Sequence, residues 1–411
     1  MSRTEASTPA VAHEAVTVAL DPVDAPIVEV DPAELHRDPY PTYERLRAAG
    51  PVVHAPAIGR YLATTHAAVV EAEQDQETFS VDVTGALMSR ALGDQPMLRK
   101  PDPEHATERS SINPTLRPKP IAQHWAPMTE QTVERWLDHL DEVGPDEADL
   151  NRDYSAPIAS QNLIDLVGFR GVDVRDMARW SADFIAGSGN VLDDADIWRR
   201  CDQSRADVDA VLDELIPHLR AKPDRSITSH LLEAGLDERV VRANVKLTIS
   251  GGMNEPQHMI TNLVWAFDLH PDQRDDAIAH PELYGNAFEE CVRWQSPIGM
   301  LPREAKVDAV LQGVRVPAGQ NMGLLLASAN RDTAAFENPD AFDIHRNARG
   351  HLGFGKGVHQ CAGRWAAKTM IGEIAVPALY RRFPGIRVDA RREMAWNGFV
   401  FRGITALPVT W

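Results

Sequence analysis

Apolar residues recur at spacings of three and four from Trp125 to Leu140, from Val208 to Leu219 and from Val240 to Phe267. That spacing lines up one face of a 3.6-residue helix, so the pattern predicts a mostly helical body. Strict alternation is rarer. "AVLQGVRVPAGQNMGLLLA" alternates and carries Gly and Pro where turns would fall, which predicts short strands. The fold class expected is mainly α with small β-sheets. Residues 1–30 are rich in Ala, Thr, Val and Glu without a clear period and read as a loosely ordered arm. The ordered part begins at "DPYPTYERLRAAGPV", and with no repeat or low-complexity linker beyond it, residues 31–411 read as a single domain.

Composition narrows the function classes. The 411 residues are 43% hydrophobic, enough to bury a large core, and no uncharged apolar run approaches the ~18 residues of a membrane span. A net charge of -18 makes nucleic acid an unsuitable partner, since phosphates would be repelled. The three cysteines, Cys201, Cys291 and Cys361, are far apart and odd in number, which argues against a disulfide framework and against a zinc site. A soluble cytoplasmic protein is expected.

One cysteine stands apart. "HLGFGKGVHQCAGRWAAK", residues 351–368, is a glycine-rich loop leading into a helical pattern. "GHLGFGK" nearly matches a phosphate-binding loop, but Gly357 stands where Ser or Thr should hold magnesium. A dinucleotide fingerprint fails too, because Val358 replaces its third glycine and no strand pattern leads in. What remains is a turn that brings backbone close to a bound group and places Cys361 at a helix start. Exposed amides and the helix dipole there favour a thiolate, the form that ligates a soft or borderline metal.

"FGKGVHQCAG", Phe354 to Gly363, resembles the heme-binding loop FGxGxHxCxG of cytochromes P-450 at every fixed position, and the resemblance extends from about Asp38 to the C-terminus. It implies the cytochrome P-450 fold and heme b with iron ligated by Cys361, the thiolate driving O–O cleavage. It also implies that Phe354 and Gly355 shape the loop around the heme. Glu290 and Arg293 in "AFEECVRWQSP" share a helix face and resemble the family's ExxR pair, with Arg346 as third member of a structural charge cluster. His105 and Arg109 in "PDPEHATER", Arg303 in "SPIGMLPREA" and His359 are, by the same resemblance, partners of the heme propionates.

"LTISGGMNEPQHMITNLVWAF" occupies the place of the helix that crosses the oxygen-binding face. Gly251 and Gly252 keep the family's small pair, but Asn254 replaces the usual acid and Glu255 the usual threonine. Pro256 lacks the N–H that would bond the Gly252 carbonyl, so the helix is expected to open or kink there. A carboxylate at this point can take a proton from hydrogen peroxide and return it to the distal oxygen, similar to the acid-base glutamate of fungal heme-thiolate peroxygenases. Glu255 is therefore the expected acid-base group, with Asn254 orienting it or the intervening water.

The same segment, with the C-terminal "FRGITALPVTW", resembles actinobacterial P-450 enzymes that O-demethylate lignin-derived methoxyphenols such as guaiacol and syringol. The implied products are a phenol or catechol and formaldehyde. The implied electron donor is a flavin and iron-sulfur reductase or a ferredoxin, with hydrogen peroxide as the alternative oxidant. Phe401 and Ile298 are expected pocket walls, and Ser181 aligns with a pocket phenylalanine, which would leave room for a ring substituent. Hydroxylation of another small aromatic or a natural-product precursor stays open, as does a non-catalytic heme sensor. Lys356, Arg364 and Lys368 form a basic cluster near Cys361 suited to an acidic electron donor.

Overall fold

A computed structural model describes residues 21–411, so most of the expected N-terminal arm lies outside the described residues. The part inside them is attached rather than loose. Val23–Asp24 pairs in parallel with Val314–Val316, and the Val28 amide donates to the His54 carbonyl, so the ordered chain begins before residue 31.

The largest sheet joins β1 (Val52–Ala55), β2 (Arg60–Ala63), β3 (Phe79–Ser80), β4 (Leu301–Ala305) and β5 (Asn321–Leu324) in the order β1-β2-β5-β4-β3. Its register sets Arg303 on β4 opposite Met322 on β5. The alternating segment noted above divides into Ala309–Leu311, Val314–Val316 and β5. Near the C-terminus β6 (Ala395–Asn397) pairs antiparallel with β7 (Gly403–Ala406) and leaves Gly398 to Arg402 as the loop between them.

Helices supply the bulk. α1 (His66–Gln74) packs beside the sheet, and α2 (Glu104–Leu116) follows it. α3 (Ala156–Val167), α4 (Val174–Ser188) and α5 (Ala195–Ala221) gather around α6 (Glu238–Leu269). Val241, Val245, Ile249, Met253, Ile260, Leu263 and Phe267 form a buried stripe along α6, while Gly251, Asn254, Glu255 and Gln257 keep accessible surface. That one buried face is what the three- and four-residue spacing marks in the sequence. Pro256 does not end it. The helix continues through Leu269, and the expected opening amounts to one missing amide donor at the Gly252 carbonyl.

α7 (Tyr284–Trp294) packs on the column formed by Arg364–Ala367, the π-helical stretch Lys368–Ala375 and Val376–Arg382. Phe288 and Gly372 meet there, and a side chain at Gly372 would stand 2.9 Å from the Phe288 Cβ. No helix among the described residues is long and apolar enough to cross a membrane.

Candidate active site

The cysteine loop is held by its own backbone. The Cys361 amide donates to the Phe354 carbonyl at 2.9 Å and the Gly355 amide to Leu352 at 2.8 Å. Gly355 and Gly357 have φ of 65° and 70°, a left-handed backbone that favours glycine. Both also press on α1: a Cβ on Gly357 would lie 2.5 Å from the Glu73 carbonyl oxygen. Phe354 packs 6.2 Å from Phe288, fixing the loop's start to α7.

The helix after the loop begins only at Arg364, and burial outweighs its influence. Burial pushes the Cys361 thiol up, while the Gly363 amide, Arg109 and Arg364 pull it back.

Gly251, Glu255 and Cys361 all carry accessible surface yet are enclosed by protein, so they front an interior space. Gly251 leaves that space open, since a Cβ there would meet nothing within 4 Å. Gly252 does a different job: its Cβ would stand 2.8 Å from Leu163, so this glycine lets α6 approach α3. Burial raises the Glu255 carboxyl to about 8, and its charge helps to push the Cys361 thiol up across the space. Asn254 is turned away. Its Oδ1 accepts from Gln257 Nε2 at 3.4 Å, so the expected orienting contact with Glu255 is not made.

Beside the loop lies a cluster of basic side chains. The His105 and His359 rings lie 4.0 Å apart and tilted, His105 Nδ1 sits 3.1 Å from Asp102, and Arg109 donates to the Gln360 carbonyl at 2.8 Å. Both ring nitrogens of His359 are buried without a partner, and burial next to His105 and Arg303 pushes it down to about 3. Arg303 has only Glu73, at 3.7 Å, to offset its charge. Sequence reasoning missed Arg99 and Arg60, which join this group. Burial with Arg303 and Arg60 nearby lowers Arg99 to about 10, and a guanidinium nitrogen of each is left unpaired. No local spacing marks these two, because Arg60 comes from β2 and Arg99 from the separate short turn Met97–Arg99.

So many buried donors, crowded by like charge, fit a ligand with two carboxylates. Heme meets that demand. Cys361 would hold its iron, His105, Arg109, Arg303, His359 and Arg99 its propionates, and Gly251 leaves room on the opposite side.

Glu290, Arg293 and Arg346 are brought together. Arg293 Nε and Nη2 each lie 2.7 Å from Glu290, both residues are fully buried, and Arg346 Nε reaches the same carboxylate at 3.2 Å. The remaining Arg293 protons go to the carbonyls of Asn330, Pro339 and Ala341.

Ile298 and Phe401 face each other across an isolated antiparallel bridge, fixed by the Gly299 amide on Val400 at 2.9 Å and the Arg402 amide on Pro297 at 2.8 Å. Ser181 departs from expectation. It is buried, and its hydroxyl donates to the Ser250 carbonyl at 3.3 Å, which ties α4 to α6 instead of lining a pocket.

The family model described as Cytochrome P450 matches residues 270–384. A methyl-branched lipid omega-hydroxylase of Mycobacterium tuberculosis is 31% identical over 319 residues, 75% of this chain and 73% of its own length. A steroid C26-monooxygenase of Mycolicibacterium smegmatis is 29% identical over 375 residues, 89% of this chain and 91% of its own. Among solved structures, P450BioI in complex with an acyl carrier protein superposes with a TM-score of 0.84 at 26% identity, covering 93% of this chain and 100% of that one.

Proposed function

The chain belongs to the cytochrome P450 family and is a heme-dependent monooxygenase, and from that premise we propose that it O-demethylates methoxyphenols of the guaiacol and syringol type. One observation carries the reading: Glu255, a carboxyl raised by burial, stands with Gly251 on the face of α6 that looks across the interior space to Cys361. Bound through Cys361, heme supplies the oxidising chemistry that inserts one oxygen atom into a substrate C–H bond.

The chain's own residues do the rest. Ile298 and Phe401, locked opposite one another, form an apolar wall suited to a flat ring. Oxidation of a methoxy carbon gives a hemiacetal that collapses to the phenol and formaldehyde. Glu255 moves protons. As carboxylate it takes a proton from one oxygen of hydrogen peroxide and returns it to the other, which leaves as water. The same carboxyl, protonated, can donate when electrons come from a flavin and iron-sulfur reductase or a ferredoxin.

The hydroxylases among the relatives favour a second reading, hydroxylation of another small aromatic or natural-product precursor. Optical titration of the ferric protein with guaiacol, 4-alkylguaiacols, syringol and a terpene separates them. A spin-state shift with the methoxyphenols and formaldehyde on turnover is expected. A shift with the terpene alone, or product without formaldehyde, would remove the demethylase reading.

A further inference from the structure

His258 has no part in the chemistry so far. It is buried, 3% exposed, on α6 three residues beyond Glu255. Residues three apart share a helix face, and helical side chains lean toward the N-terminus, so the imidazole extends over the turn that carries Glu255. The ring also lies against β7: a Cβ on Gly403 would fall 2.1 Å from His258 Cγ and 2.4 Å from Nδ1, so the ring occupies the space that this glycine leaves. Around it Thr261, Asn262 and Asn151 spend their polar groups on the backbone of Ile404. His258 does not. Its Nδ1 is buried without a partner, as is Glu255 Oε2.

Two unpaired polar atoms one turn apart in a closed interior are costly unless something bridges them, and a water with two or more polar neighbours is the usual bridge. The Gly252 carbonyl, deprived of its amide by Pro256, is a third neighbour on the same stretch of helix. We propose that His258 is a positioning residue for Glu255, holding a water between its ring and the Glu255 carboxyl so that this oxygen is oriented toward the interior space. Burial pushes the imidazole down to about 4, so the ring is neutral near pH 7 and offers one donor and one acceptor. His258 gains and loses no proton in the peroxide route: the proton that Glu255 takes is the one it gives back.

This inference rests on the acid-base reading of Glu255, and the test separates the two. His258→Phe keeps the ring volume against Gly403 and removes both nitrogens, while His258→Asn keeps a hydrogen-bonding atom near the position of Nδ1. Peroxide-driven guaiacol turnover by the holoenzyme should fall on the order of tenfold in His258→Phe and be largely restored in His258→Asn. Independently of turnover, the carboxyl C=O band assigned to Glu255 by its loss in Glu255→Gln should shift upward in His258→Phe as the hydrogen bond disappears. An unchanged band or no rescue by Asn would overturn the role of His258. Full peroxide activity in Glu255→Gln would overturn the acid-base reading itself.

Discussion

In the proposed acid-base role, Glu255 would set the pH behaviour of the site. Its carboxyl is raised to about 8 by burial, so below that pH it is mainly protonated and lacks the carboxylate that peroxide needs. Peroxide-driven turnover should therefore climb as the pH rises through about 8, and Glu255→Gln should abolish it, both read from initial rates of formaldehyde release. This residue was legible in the sequence because a carboxylate where the family places an alcohol is a chemical change. Asn254 makes no direct bond to Glu255, because adjacent residues on a helix point about 100° apart, and its Oδ1 accepts from Gln257. His258, by contrast, looked like one more member of the apolar run "PQHMITNLVWAF", and only the burial of an unpaired nitrogen sets it apart.

Among the elements, α7 holds the most fully satisfied charge in the core. Arg293 makes two bonds to Glu290 and three to carbonyls, with neither residue exposed. Arg293→Ala would strand the Glu290 carboxylate, and urea unfolding should show a loss of about 3–5 kcal/mol. The loop between β6 and β7 is equally intolerant of added atoms. A Cβ at Gly299 would lie 2.0 Å from the Phe399 carbonyl oxygen. Gly299→Ala should therefore part Ile298 from Phe401 and cost about 1–3 kcal/mol, with a weakened spin-state response to guaiacol in the same titration. Periodicity located α6 and the short strands well, since both patterns depend on one buried face. It could not reveal the Ile298–Phe401 bridge or the approach of Arg60 and Arg99 to Arg303, because these join segments far apart in sequence.

At the scale of the whole molecule, a net charge of -18 opposes the approach of an acidic electron donor, so any docking depends on local cations. Of the three expected on the cysteine side, Lys368 is paired with Glu289 at 3.2 Å and Arg364 lies over the Trp365 ring at 5.1 Å. Lys368→Glu should slow reductase-driven turnover, and added salt should do the same to the parent protein by screening beyond about 8–10 Å. Peroxide-driven turnover should change in neither case, and comparing the two rates across a salt series checks both points. The bond from Ser181 to the Ser250 carbonyl has a mechanical corollary at this scale. It fastens α4 to α6 one residue before Gly251, so sliding one helix along the other strains the backbone beside the proton machinery. The packing of the two helices adds to that bond, so the position of α4 bears directly on the carbonyl beside Gly251.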